Sequence, residues 1–236
     1  MDAQPGSSKR GTFIVLEGPD GAGKSSVAAA LLVHLRDAGR AVTMTREPGG
    51  TRLGELVREV LLDRGAVEHA PEADALLFNA ARAQLVREVV GPALLRGEVV
   101  LCDRFAPSTR AYQGYGGGLD LDLLASLEGY ATAGIEPDLV VLLDVPVAVG
   151  LARRGLGDPA QLTRFEDPDR HDATFHERVR SGYGSMAVAD PGRWRVVDAD
   201  RPVEPVAAEV VALVDAFLAS RTLPNEPNGA LARMTA

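Results

Sequence analysis

Five short apolar runs constrain this chain more than anything else in it: "TFIVLEG", "AVTMTRE", "EVVLCDR", "DLVVLLDV" and "RWRVVDA". Each is rich in Val, Leu or Ile and nearly continuous. A strand with one wet face alternates apolar and polar residues; a strand covered on both faces does not. The segments between them carry helical patterns, over 24–38, 54–63, 71–95, 122–132, 146–154, 172–189 and 203–219, and Gly39 supplies a helix stop. Strands that alternate with helices predict an α/β fold, a doubly wound parallel sheet with helices on both faces. Ligands in such folds gather at the carboxyl ends of the strands. Four of the five runs end there in charged side chains: Glu17, Arg46 with Glu47, Asp103 with Arg104, and Asp144.

The first run leads into "GPDGAGKS", which fits G-x-x-x-x-G-K-[ST] from Gly18 through Gly23, Lys24 and Ser25. Gly18, Gly21 and Gly23 let the backbone of Gly18, Pro19, Asp20, Gly21, Ala22 and Gly23 curl so that N–H groups converge on an anion. Lys24 then reaches the β- and γ-phosphates, Ser25 offers a hydroxyl to Mg²⁺, and Ser25 and Ser26 open a helix whose dipole favours negative charge. Of the 25 lysines and arginines only Lys9 and Lys24 are lysine, so the chain keeps a compact ammonium where this loop needs one. Asp20 lies inside the loop. Beside a triphosphate its carboxylate needs a cation between them, which points to Mg²⁺; the alternative is a solvated loop aspartate.

Composition narrows the function. The net charge of −8 argues against a general nucleic-acid or membrane-surface binder. No run nears the ~18 apolar residues of a membrane span, no apolar signal region opens the chain, and the expected location is cytoplasmic. Cys102 is the one cysteine, in an apolar run, and reads as core. Residues 1–10 and 221–236 read as flexible tails flanking a single domain over 11–220. The four histidines are scattered and receive no metal or catalytic role.

The absence of an Asn-Lys pair argues against a GTPase switch. A small-molecule kinase needs an acceptor anion site, a pocket and a cationic lid. Asp103 closes a hydrophobic run in the manner of a magnesium-holding aspartate, and Arg104 beside it needs an anion. Phe78 and Arg82, at i and i+4, share a helix face. That pair fits either a base-reading ring and guanidinium or a core aromatic with a solvated ion pair. A segment over about 153–170 carries Arg153, Arg154, Arg164 and Arg170 among Gly and Pro, either as a solvated face or as a phosphate-clamping lid.

Taken together, "EGPDGAGKSS", "TREPGGT", "LLFNAARAQLV", "DRF" with "STRAYQG", "PDLVVLLDV" and "FHERVRSGY" resemble the bacterial thymidylate kinases, from about residue 11 to residue 219. The resemblance implies a P-loop nucleoside monophosphate kinase fold, a five-stranded parallel sheet in the order 2-3-1-4-5 with a short lid, and a homodimer packed through helices. It implies transfer of the γ-phosphoryl group of ATP to dTMP, giving ADP and dTDP for dTTP synthesis, with Mg²⁺ held near Ser25, Asp20 and Asp103. It also implies roles: Phe78 stacks on thymine, Arg82 binds its O4, and Arg104 holds the dTMP phosphate. Tyr112 lies under the sugar 2′ position with Gln113 near the base, Ser108 and Thr109 line the same wall, and Glu47 and Pro48 face the acceptor. Gly21 stands where one type within the family carries an arginine, so the lid must supply the cation, through Arg153 and Arg164. Thr163 replaces the usual aspartate before that second arginine. A clamp role for Arg164 predicts that Arg164→Ala lowers kcat far more than it weakens dTMP binding. The competing readings are a P-loop kinase of deoxynucleosides, which leaves Arg104 without its anion, and a nucleotide-binding regulator without catalysis.

Overall fold

The computed structural model describes residues 10–63, 68–155, 163–166 and 171–221. The five apolar runs form five strands: β1 (Thr12–Glu17), β2 (Val42–Arg46), β3 (Val99–Asp103), β4 (Leu139–Asp144) and β5 (Trp194–Asp198). They pair in parallel in the order β2-β3-β1-β4-β5, the order implied by the resemblance. The register sets Leu16 of β1 and Arg46 of β2 both opposite Asp103 of β3. Glu17, Arg46, Asp103 and Asp144 therefore come out along one edge of the sheet.

Alternate residues of β1 explain why it reads as continuous. Ile14 and Leu16 enter one core with Leu31 and Leu35 of α1 (Lys24–Asp37) and Val210 and Val214 of α9 (Val203–Ser220). Phe13 and Val15 enter a second core on the opposite face, with Leu85, Val90 and Leu94. There α3 (Pro71–Leu85) continues through a wide, π-helical stretch, Val86–Val90, into α4 (Gly91–Leu95). The sequence pattern reads 71–95 as one helix. Pro92, near the start of α4, has no N–H to donate and crowds the turn before it, so the ladder widens there. The edge strands also depart from the expectation of burial on both faces. Met44 of β2 and Val196 of β5 are exposed, because an edge strand has a neighbour on one side only.

One helical segment escapes the sequence pattern. Ala106–Thr109 forms the short α5, which passes into a second π-helical stretch, Arg110–Gly116. Pro107 and the glycines of "QGYGGG" resemble turn chemistry, yet proline is tolerated in a first helical turn. The remaining helices are α2 (Arg52–Leu62), α6 (Leu121–Ala131), α7 (Val147–Gly155) and α8 (Ala173–Ala189). Both tails, the insert at 156–162 and Arg170 lie outside the described residues, apart from Arg10 and Arg221 at the tail boundaries.

The loop after β1 is wedged against its surroundings by bare backbone. A Cβ on Gly18 would stand 2.3 Å from the Leu143 carbonyl oxygen, and one on Gly21 would stand 2.0 Å from that of Gly150 in α7. Both glycines, like Gly23, hold positive φ. The contact runs both ways, since a Cβ on Gly150 would stand 2.3 Å from the Asp20 carbonyl oxygen. Gly150→Ala must therefore push the loop and α7 apart. We expect it to lower stability by about 1–3 kcal/mol, as overpacking does, and to weaken ATP binding; urea denaturation and ATP titration measure the two effects.

Candidate active site

At the carboxyl edge of the sheet the loop and the surrounding helices enclose a cleft of about 560 Å³. Its donor end is built by Gly21, Gly23, Lys24, Ser25 and Ser26, and its far end by Phe78, Arg82, Tyr112 and Gln113, with Asp103 and Arg104 between. Lys24 is the first residue of α1, and its Nζ donates to the carbonyls of Gly18 and Pro19, both at 2.9 Å. Burial, and then the Arg104 charge, bring its pKa down to about 8; Asp20, Asp103 and Glu17 oppose that fall. An arriving polyphosphate pulls in the same direction as those carboxylates and favours the ammonium.

Ser25 Oγ donates to Asp103 Oδ2 at 2.9 Å. A hydroxyl and a carboxylate side by side are hard oxygen donors, suited to Mg²⁺, which is held by one or two protein oxygens with phosphates and water completing the octahedron. No cluster of three or more metal-ligating His, Cys, Asp or Glu side chains exists among the described residues. Asp20 departs from the expectation. It is turned toward the acceptor side: Oδ1 accepts from Arg104 Nη2 at 2.6 Å, and Oδ2 from the Tyr112 hydroxyl at 2.6 Å. Burial alone would raise its pKa, but Arg104 and Lys24 outweigh that and hold the carboxyl below its ordinary value.

Arg104 is the hub of the middle of the cleft. Its backbone takes φ 71°, the left-handed region, just after β3. Its guanidinium also donates to Ser108 Oγ and to the hydroxyls of Tyr183 and Tyr112, at 3.1, 3.1 and 3.2 Å. Beneath it lies Glu17, fully buried. Glu17 accepts from Phe105 N, Ser108 Oγ and Tyr183 OH at 2.9, 2.7 and 2.9 Å. Desolvation raises its pKa, against the pull of Arg104 and these donors. In the sequence Glu17 stands out only as a strand end, and Tyr183 only as the last residue of "RSGY", which carries no role there.

The inner wall is a second buried ion pair. Arg82, 1% exposed, donates from Nε to Glu47 Oε2 at 2.9 Å, with Nη2 in ion-pair contact with the same oxygen at 2.8 Å; Nη2 donates to Thr109 Oγ1 at 2.9 Å and Nη1 to Asn79 Oδ1 at 3.0 Å. One Nη1 N–H is left over among the described residues. Phe78 stands one helical turn earlier on the same face. Arg82 is therefore neither solvated nor a surface pair, which removes the bland alternative for it. Asn79 and Arg58, which also lines the cleft, were not anticipated from sequence.

Of the lid arginines, Arg153 and Arg154 line the cleft and Arg164 does not. Arg153 donates to the carbonyls of Ala199 and Arg201 at 2.9 and 3.3 Å, and Arg154 Nε to Glu166 Oε1 at 2.9 Å. Arg164 is buried and turned away, donating to the Leu61 carbonyl at 2.6 Å and to Asp74. The expectation that its charge faces the transferring phosphoryl group does not match this placement. With Asp74 and that carbonyl as partners, the guanidinium is satisfied on the far side of the turn.

A family model described as thymidylate kinase matches residues 16–210. The chain belongs to the thymidylate kinase family. Among curated relatives it is 53% identical over 206 residues to the thymidylate kinase of Deinococcus radiodurans, covering 87% of this chain and 97% of that one. It is 53% identical over 202 residues to that of Thermomicrobium roseum, covering 86% and 93%. The crystal structure of thymidylate kinase from Ehrlichia chaffeensis superposes with a TM-score of 0.71 at 30% identity, covering 87% of this chain and 99% of that one. The loop, the Asp103–Arg104 pair and the Phe78–Arg82 pair all fall inside the region that the thymidylate kinase model matches.

Glu47 gives this site a pH signature. Burial, against the opposing Arg82 charge, raises its pKa from 4.5 to about 7. Between those two values the folded chain keeps a proton that the unfolded chain releases. The stabilising share is complete below the unfolded value and is lost as pH rises through about 7. We expect Glu47→Gln to remove that share of the slope, seen in urea unfolding near pH 5 and near pH 8.

Proposed function

We propose that this thymidylate kinase family member transfers the γ-phosphoryl group of ATP to dTMP, giving ADP and dTDP. The observation that carries the reading is one cleft holding the phosphate loop at one end and the half-buried Phe78 with the buried Arg82 at the other, with Arg104 between. ATP lies with its phosphates in the loop from Gly18 to Ser26, on the Lys24 ammonium and the α1 dipole. Mg²⁺, held at Ser25 and through water at Asp103, would neutralise charge on the β- and γ-phosphates. The dTMP phosphate lies against Arg104. One of its oxygens bonds to the γ-phosphorus as the bond to the β-phosphate oxygen breaks, and ADP leaves. That phosphate oxygen is already ionised near neutral pH, so no general base is needed. Lys24 and the α7 arginines, Arg153 and Arg154, meet the charge on the equatorial oxygens.

The thymine stacks on Phe78, and its O4 accepts the remaining Arg82 Nη1 N–H. Cytosine presents an amine there, donor against donor, in a site that cannot rearrange because Glu47, Asn79 and Thr109 fix the guanidinium. Uracil loses only a methyl contact. Tyr112 and Gln113 bound the sugar and base, with Ser108, Thr109 and Pro48 completing the wall. ADP release with a panel of acceptors tests this reading. We expect dTMP to be preferred over dCMP by at least about a hundredfold and over dUMP by roughly tenfold in kcat/KM, with the dCMP margin collapsing in Arg82→Ala. Turnover of thymidine in place of dTMP would make the protein a nucleoside kinase.

The helices also support a homodimer as the working form. Leu53, Leu56 and Val60 lie at i, i+3 and i+7 on α2, a single exposed stripe. Leu76 of the neighbouring α3 is 56% exposed, and Leu123 of α6, which packs on α3, is 55% exposed. Such a patch on a helical layer fits a second copy of the same surface. We expect sedimentation to give a dimer and Leu56→Glu with Leu76→Glu to give a monomer. A monomeric unmodified protein would refute this assembly.

A further inference from the structure

The turn Arg164–Glu166 touches the acceptor wall from behind. Arg164 is 4% exposed. Its Nε donates to the carbonyl of Leu61 in the last turn of α2 at 2.6 Å, and its Nη2 to Asp74 Oδ2 in the first turn of α3. The other Asp74 oxygen, Oδ1, lies 2.9 Å from His69 Nδ1. These groups face a separate cavity of about 480 Å³ behind Tyr112 and Gln113, away from the phosphates.

What the anchor carries is the next residue. The Arg164 guanidinium lies 4.8 Å from the centre of the Phe165 ring. Phe165 meets Tyr112 edge-on at 5.6 Å and leans on Phe78 at 6.4 Å between ring centres. Phe165 lines the cleft, as do Phe78 and Tyr112. On the same turn, Glu166 accepts from Arg154 and from Thr163 N. One buried ion pair therefore fixes an aromatic at the base end of the cleft and a carboxylate beside an α7 arginine.

We propose that Asp74 is a positioning residue of the acceptor site: through Arg164 it seats Phe165 against Phe78 and Tyr112 and so fixes the roof of the base pocket. The inference rests on the reading that dTMP is the acceptor. Its physical basis is the cost of a buried guanidinium that loses its carboxylate. Asp74→Asn leaves Arg164 with one carbonyl and a neutral amide. The charge is then better satisfied in water, and Phe165 leaves with it. Arg164 acts on the base pocket through its neighbour, and the phosphates do not feel its charge directly.

The test is steady-state ADP release by the purified full chain. Unmodified protein is assayed first across the acceptor panel. If it turns over another nucleotide, the acceptor reading fails by itself and the variants are scored on that nucleotide. Asp74→Asn is expected to raise the dTMP KM about tenfold, leaving kcat at saturating dTMP and the ATP KM within about twofold. Asp74→Glu should recover most of the loss. Arg164→Gln should match Asp74→Asn, with the double variant no worse than either, as coupled partners require. A fall in kcat at unchanged dTMP KM in Arg164→Gln would restore the phosphate-clamp role and overturn the proposal. So would unchanged constants in Asp74→Asn, or additive effects. Should loss of the ion pair unfold the chain, Phe165→Leu keeps the anchor and removes only the ring. A raised dTMP KM at an unchanged melting temperature then supports the proposal, and an unchanged KM rejects it.

Discussion

Glu17 ends the central strand without contact with solvent, and its need for donors arranges the whole middle of the cleft. A buried carboxylate is costly unless it accepts hydrogen bonds. Here the donors come from three directions: the backbone of Phe105, the hydroxyl of Ser108 and the phenol of Tyr183. The first two flank the start of α5 and the third reaches across from α8. Arg104 lies between Glu17 and the cleft in a left-handed backbone conformation, so its guanidinium is aimed by these same groups. A strand end, two helices and a loop are thereby fixed relative to one carboxylate.

The protein is acidic overall and yet is proposed to hold two anionic nucleotides. The structure reconciles these by placement. Its working cations are each tied to a local carboxylate or to carbonyls: Arg104 to Asp20, Arg82 to Glu47, Lys24 to the loop backbone. Pairing keeps a buried charge tolerable, and it leaves individual N–H groups aimed rather than swinging. On the proposed function, selectivity resides in which Arg82 hydrogen is left over. A diffuse basic surface would attract the same anions without distinguishing their bases.

The fold was legible because the inner strands β1, β3 and β4 are covered on both faces, which writes itself into the sequence as an unbroken apolar run. It was least legible where glycine and proline do helical work, at Pro92 and across "QGYGGG". The curl of the loop after β1 was legible because it rests on closely spaced glycines, and Gly18, Gly21 and Gly23 all hold positive φ. The acceptor wall was half legible. Spacing puts Phe78 and Arg82 on one helix face but leaves a core ring with a solvated ion pair open; the family resemblance supplies their roles, and only tertiary contact shows that Asn79, Thr109 and Glu47 surround the guanidinium. Asp20 reads as a Mg²⁺ contact because it lies inside the phosphate loop, and Arg164 as a phosphate clamp because the family resemblance implies it. Asp20 turns instead to Arg104 and Tyr112. Arg164 turns to Asp74, a partner 90 residues away in the chain.

The meeting of Gly21 with Gly150 has a further meaning. Two backbones in direct contact have no side chain between them to change rotamer, so the position of α7 is gauged from the phosphate loop to within the size of a carbonyl oxygen. Arg153 and Arg154 follow Gly150 by three and four residues, one helical turn along. Their reach is thus measured from the same datum as the loop N–H groups. The loop N–H groups and these arginines are placed by one backbone contact, the meeting of Gly21 and Asp20 with Gly150.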